Sequence, residues 1–375
     1  MVIAFYLFLF SLVYSYLIYP LLLAALKPVI RKPWKQKDME VPVSIVVSAY
    51  NEEEVIRDKV LNALSSDYPA NLLEVVVSSD GSTDRTNEVV SDIKDPRISF
   101  HAFSQRAGKS ACLNRVVPQA RGEIVLFTDA NSALPPLAVR KIVRNFHDRQ
   151  VGLVTGWTKY RDPSGKDGSA GAYSRYEKLL KVLESAIGSC VGADGAIFAM
   201  RKSLYRPLRD DDINDFVIPL NVIEQKKRVV LDPEVFCFED ASERAENEFR
   251  RQVRITTRTL WAIRRNMRLL DPRKFGLFSF FMFSHKVMRF LIPLFLVGTF
   301  VLNMFLLGLT PFYRLTFLGQ GLFLVGASAG LIIKGRNGML DACAMLFVTF
   351  AAQGLGWLRM LAGIGDTMWT PQRWR

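Results

Sequence analysis

The sequence predicts an α/β fold with a mainly parallel sheet, carried on transmembrane helices. Three observations lead there. Between residues 40 and 270, short apolar runs alternate with helical patterns, as when parallel strands are joined by crossover helices. Polar residues gather where those runs end, at Asp80-Gly81-Ser82-Thr83-Asp84 and Asp129-Ala130-Asn131-Ser132. Ligands of such sheets bind outside the carboxyl ends of the strands. Residues 3–26 and 287–360 are instead dominated by Leu, Phe, Val, Ala and Gly, which is the composition of bilayer spans.

The 375-residue chain carries a formal charge of +13. Basic residues beside apolar spans account for part of this, and the rest suits an anionic substrate or anionic lipid headgroups. Lys and Arg are dispersed, with no aromatic-basic groove pattern, so nucleic acid is not an expected partner. Cys112, Cys190, Cys237 and Cys343 show neither metal-site nor C-x-x-C spacing. They read as reduced, mostly buried thiols of a cytosol-facing protein.

Residues 1–26 contain no Lys, Arg, Asp or Glu and reach the roughly 20 residues that a span needs. Lys27, Arg31, Lys32, Lys35 and Lys37 follow, so this segment is expected to be an anchor with its basic side in the cytoplasm. Val43 to Ser48 reads as a buried strand. The acidic triplet Glu52-Glu53-Glu54 suits the first turn of the next helix. That helix is expected to reach about Ser66, with Val55, Ile56, Val60, Leu61 and Leu64 on its inner face. Glu74 to Ser79 is the second strand, and Arg97 to His101 the third. Asp80 at the end of the second is either a turn former or an acceptor for a ribose or base. Arg106-Ala107-Gly108-Lys109-Ser110 opens a helix, where free N–H groups and a cation favour phosphate. It is not a P-loop, because position 103 is Phe rather than the first Gly.

Ile124 to Phe127 is the central strand, delivering Asp129 and Asn131 at its carboxyl end. Two oxygen ligands there can hold a hard divalent cation, although a plain strand-to-turn exit has the same residues. Val151 to Tyr160 is a further strand, Asp162 to Gly171 a loop and Tyr173 to Ile187 a helix. Gly192-Ala193-Asp194-Gly195-Ala196 precedes the strand Ile197 to Met200, and its small residues allow close approach to a ligand. Asp210, Asp211 and Asp212 read as a solvated helix start. Asp215, set inside an apolar-periodic segment, is a candidate general base. After the strand Val229 to Phe238, a basic helix from Glu243 to Arg265 carries Arg251, Arg254 and Arg258 at helical spacing. This row faces either anionic lipid or a diphosphate. The remaining expectations are an interfacial helix at 275–284, three helices within 287–361 (287–309, 315–333 and 339–361) and a tail at 362–375.

In order, S-A-Y-N-E-E, S-D-G-S-T-D, G-K-S-x-x-L-N, F-T-D-A-N, G-A-D-G-A and N-D-F resemble the membrane-embedded family 2 glycosyltransferases. Cellulose, hyaluronan and poly-N-acetylglucosamine synthases and ceramide glucosyltransferases belong there. The resemblance covers about 43–260 and implies a GT-A (Rossmann-like) domain at 40–270. It places Ala49, Tyr50, Glu52 and Asp80 around the nucleotide, and Lys109, Arg251 and Arg254 near its diphosphate. Asp194 lines the sugar path, Asp215 is the catalytic base, and Asp129 with Asn131 takes Mg²⁺ or Mn²⁺. Asn131 stands where the D-x-D motif has its second acid, and Ile255 where the (Q/R)-x-x-R-W motif has tryptophan.

The implied activity is inverting transfer from a nucleotide sugar, with UDP the expected nucleotide, to a lipid-linked or saccharide acceptor. It would take place at the cytoplasmic face of the plasma (inner) membrane, in an exopolysaccharide or glycolipid pathway, with membrane partner proteins allowed. Ile255 offers no aromatic face for a growing chain, which favours adding one or a few sugars over processive polysaccharide synthesis. Outside the enzyme class, a transporter would need ionisable residues well within its spans, whereas the charged residues of these spans, Arg289, Asp341 and Arg359, lie near span ends. A nucleotide-sugar sensor would not require Asp215.

Overall fold

In the computed structural model, residues 1–161, 172–240, 245–333 and 338–365 are described. The expected loop at Asp162–Gly171 and most of the tail lie outside them. The chain divides into two units. One contains residues 23–243 and 266–281, and the other residues 1–22, 244–265 and 282–366.

An apolar helix, α1 (Val2–Leu26), opens the chain. The α/β unit then runs β1 (Val43–Ala49), α2 (Ile56–Leu64), β2 (Leu73–Asp80), α3 (Thr86–Ser91), β3 (Ile98–Phe103), α4 (Lys109–Val116), β4 (Ile124–Asp129) and α5 (Ala138–Val143). It continues with β5 (Val151–Arg161), α6 (Ala172–Ile187), β6 (Ile197–Arg201), α7 (Asn214–Glu224) and β7 (Arg228–Asp240). The seven strands lie in the order β3-β2-β1-β4-β6-β5-β7. Every residue of β1 and β2 is buried, as expected of strands covered by helices on both faces.

β6 runs antiparallel to both β4 and β5, and all other pairings are parallel. This reversal has a positional cause. Thr128 of β4 pairs with Ile197 of β6, so the Gly192–Ala196 segment stands beside the carboxyl end of β4. A strand that starts there has to run back down the sheet. The chain climbs again through residues 202–213 before α7 begins at Asn214.

Some helix limits differ from expectation. The acidic triplet lies in the turn before α2 rather than in its first helical turn. Tertiary partners hold it there: Glu52 N–H donates to Thr86 Oγ1 at 2.8 Å, and Glu53 N–H donates to Asp84 Oδ2 at 3.2 Å. On α2 the buried stripe is Ile56, Lys59, Val60, Ala63 and Leu64. Leu61, expected inside, is 44 % exposed because this i, i+3, i+4, i+7, i+8 phase turns it outward.

The second unit holds the first 22 residues together with α8 (Ala245–Arg265), α10 (Ile292–Leu306), α11 (Pro311–Ile333) and α12 (Gly338–Leu361). α9 (Leu277–Phe290) and α10 form a pair bent by 55°. The expected interfacial helix at 275–284 is therefore the first part of α9, and the span expected from 287 opens at Ile292. Pro293 explains the break, since it brings no N–H to continue the helical ladder. α1, α11 and α12 are long and apolar enough to cross a membrane, with the bent pair as a fourth possibility. They mark a membrane protein. α8 packs on α12 where Gly356 lacks a side chain, because a Cβ there would meet the Thr256 Cβ at 2.8 Å.

Candidate active site

The candidate residues of the α/β unit gather at the carboxyl ends of β1, β2 and β4. Ser48 pairs with Asp129 and Ala49 with Ser79, so the three strands deliver their ends side by side. Asp80, at the end of β2, is 4 % exposed. Its Oδ1 accepts from Ala107 N–H at 2.7 Å and its Oδ2 from Gly108 N–H at 2.9 Å. The carboxylate thereby braces the loop that opens α4. Two glycines make the arrangement possible. Gly81 has φ +66° and would place a Cβ 2.7 Å from Arg106 N, and Gly108 has φ +93°.

That loop delivers Lys109. Its Nζ donates to Asp129 Oδ1 at 2.6 Å, an ion pair whose side chains are 13 % and 28 % exposed. The guanidinium of Arg106 stacks 3.8 Å from the ring centroid of Tyr50, a cation–π contact just past the end of β1. Ala49, Tyr50, Asp80, Lys109 and Asp129 are thus brought together. Glu52 and Asn131 lie in the turns that follow β1 and β4.

Asp194 and Asp215 form the neighbouring part. Asp194 Oδ2 accepts from Thr158 N–H at 3.0 Å, and its Oδ1 accepts from Thr158 Oγ1 at 2.9 Å and Ala196 N–H at 3.1 Å. Burial pushes its carboxyl pKa above the usual range, against the pull of Lys181 and these hydrogen bonds. With both oxygens engaged, Asp194 shapes the Gly192–Ala196 segment. Beneath it, Lys181 Nζ donates to Ala193 O at 3.0 Å, and Val191 N–H donates to Glu184 Oε2 at 3.0 Å. Asp215 sits in the first turn of α7, its backbone oxygen accepting from Ala193 N–H at 2.7 Å. Its Oδ2 lies where a Cβ on Gly195 would come within 3.1 Å. Arg251 and Arg254 belong to α8 in the helical unit.

Some supporting residues escaped sequence reasoning. On α4, Ser110 Oγ donates to Asp212 O at 2.8 Å, and Asn114 Nδ2 donates to Leu208 O at 2.7 Å. Asn114 Oδ1 also accepts from Leu208 N–H at 2.8 Å and from the Tyr205 phenolic O–H at 2.9 Å. The polar positions of G-K-S-x-x-L-N thus grip the approach to α7. Asp212, expected to be solvated, is 6 % exposed.

Lys59 of α2 is 3 % exposed. Its Nζ donates to Thr128 Oγ1 at 2.7 Å, Ser132 O at 2.6 Å and Ser132 Oγ at 3.1 Å. Burial lowers its pKa to about 8, opposed by Cys237, Asp129 and Glu239. A lysine on the apolar stripe of a helix was the visible signal for it.

Residues 44–207 match the profile of glycosyl transferase family 2. Among curated proteins, the chain is 31% identical over 136 residues to the poly-beta-1,6-N-acetyl-D-glucosamine synthase of Staphylococcus aureus strain COL, covering 36% of this chain and 32% of that protein. The synthase of Staphylococcus epidermidis (strain ATCC 35984) is 28% identical over 165 residues, covering 43% of this chain and 40% of that one. The aligned region thus spans about a third of the length of the S. aureus synthase. Among solved structures, the mannosyltransferase PcManGT from Pyrobaculum calidifontis, in complex with GDP-Man and Mn²⁺, superposes with a TM-score of 0.72. It is 22% identical, with 96% of this chain and 99% of that chain covered. The fold is that of a GT-A glycosyltransferase. Residues 44–207 thus carry a domain that matches the family 2 glycosyltransferases.

Proposed function

We propose that this protein is an inverting glycosyltransferase, moving a sugar from a nucleotide-sugar donor to a lipid-linked or saccharide acceptor at the cytoplasmic face of the inner membrane. The observation that carries the reading is the Asp80–Gly108 brace, which sets Lys109 against Asp129 where the strands end. A nucleoside diphosphate needs such a meeting of backbone N–H groups, a cation and a metal-ligating carboxylate.

Asp129 and Asn131 supply one carboxylate and one amide oxygen. Among the described residues, no group of three or more His, Cys, Asp or Glu is placed to enclose a metal ion. Two protein oxygens suit Mg²⁺ or Mn²⁺, which bind through one or two carboxylates plus substrate phosphates and water. The donor set therefore fits such a cation. When bound, it neutralises negative charge on the leaving diphosphate.

The chain's own residues supply the rest. The face of Tyr50, covered by Arg106, lies at the nucleotide end. Lys109 directs its ammonium toward the diphosphate. Asp215 takes the proton from the acceptor hydroxyl as that oxygen attacks the anomeric carbon, on the face opposite the departing phosphate oxygen. One such displacement inverts the anomeric centre. The family resemblance alone assigns Arg251 and Arg254 to the diphosphate, and Asp194 keeps the sugar-path segment in shape. Ile255 in place of the motif's tryptophan favours adding one or a few sugars.

The test is incubation of the purified protein with a panel of labelled UDP- and GDP-sugars, with and without Mn²⁺, followed by sizing of the product. Metal-dependent labelling of a short glycolipid or oligosaccharide supports the reading. Long polymer made by the protein alone would replace it with processive synthesis, and no transfer from any donor would refute it.

A further inference from the structure

The buried ammonium of Lys59 has no part in the chemistry above. Withdrawing an ammonium from water is costly, and an apolar side chain of similar length would fill the same space without that cost. All three donor directions of Lys59 are nonetheless used, on Thr128 Oγ1, Ser132 O and Ser132 Oγ. Those acceptors bracket the turn from Thr128 to Ser132. Thr128 Oγ1 lies 2.8 Å from Ser132 Oγ, which in turn donates to Asp129 O at 2.9 Å. The network therefore closes the turn that carries Asp129 and Asn131, and ties it from below to α2.

We propose that Lys59 is a positioning residue whose buried ammonium holds the Thr128–Ser132 turn so that Asp129 and Asn131 present their oxygens together to a metal-bound diphosphate. This inference rests on the glycosyltransferase reading above. Lys59 acts through the turn and touches neither donor nor acceptor. Without it, the Thr128, Ser132 and Asp129 bonds remain among themselves, but the Ser132 carbonyl loses its charged partner and the turn its link to α2.

The experiment compares the full-length protein with Lys59→Met, Ser132→Ala, the double variant and Val60→Ala. Val60 is a fully buried neighbour on the same helix, so its truncation reports on loss of packing alone. Calorimetric titration with UDP and GDP plus Mn²⁺, and with the corresponding nucleosides without metal, is read beside the melting temperature. Lys59→Met is expected to weaken diphosphate binding at least tenfold, leave nucleoside binding within twofold and melt no lower than Val60→Ala. Ser132→Ala should show the same pattern, and the double variant should lose no more than the larger single loss, because both changes undo one network. Diphosphate affinity retained within twofold in Lys59→Met would overturn the proposal. So would an equal loss in Val60→Ala, or additive losses in the double variant. If the unaltered protein binds neither UDP nor GDP with Mn²⁺, the glycosyltransferase reading itself falls, and this inference with it.

Discussion

Replacing Asp80 by Asn tests whether its carboxylate acts on the ligand or on the loop beside it. Both oxygens face backbone donors, Ala107 N–H at 2.7 Å and Gly108 N–H at 2.9 Å, in a site that is 4 % exposed. Asparagine keeps the shape but offers one oxygen and one NH₂, so one of the two N–H groups would face another donor. Losing one charge-assisted hydrogen bond and stranding its donor costs about 2–3 kcal/mol. That sets a ceiling of roughly 30- to 150-fold on any affinity that needs the loop closed. Lys109 and the backbone of Gly108 ride on this loop, so the loss should fall on the diphosphate rather than on the nucleoside. The assay is calorimetric titration of Asp80→Asn with UDP and GDP plus Mn²⁺, and with uridine and guanosine. A nucleoside loss as large as the diphosphate loss would show direct contact with base or ribose. Unchanged affinity for both would show that the brace does no binding work, and either result would refute the reasoning.

The remaining expectations concern the acid, its neighbouring glycine, the metal and the thiols. Asp215→Asn should lower kcat by about 10²–10⁴, the usual contribution of a general base, with nucleotide affinity unchanged; retained turnover in steady-state assays would remove Asp215 from that role. Gly195→Ala puts a Cβ within 3.1 Å of Asp215 Oδ2. The displaced carboxylate should lower kcat by about tenfold, on the scale by which small misplacements act, while a kcat equal to that of the unaltered enzyme would show that this contact does not position the base. Chelation should abolish transfer and added Mn²⁺ or Mg²⁺ should restore it, whereas Asp129→Ala should need far more metal; full turnover in the chelated sample would exclude metal dependence. Burial raises the Cys112 and Cys190 thiols to about 12 and Cys237 well above its ordinary value. All three stay protonated at pH 8, so mass spectrometry after iodoacetamide treatment of the folded protein should find them unmodified.

Much of this protein was readable from local pattern, because its strands are short buried runs and strand ends carry their polar residues in sequence. The order of elements, Asp129 at the exit of the central strand, Lys109 at a helix start and the long apolar helices all follow from neighbours in the chain. Three things were settled only by tertiary contact. The direction of β6 depends on where the Gly192–Ala196 segment rests beside β4, which no periodicity encodes. The acidic triplet stays out of α2 because Thr86 and Asp84, more than 30 residues away, accept its N–H groups. The roles of Asp80, Asp194 and Lys59 depend on which distant atoms meet their polar groups. A carboxylate that braces a loop and one that holds a ligand look alike in sequence, and the difference lies in the donors that folding brings to them.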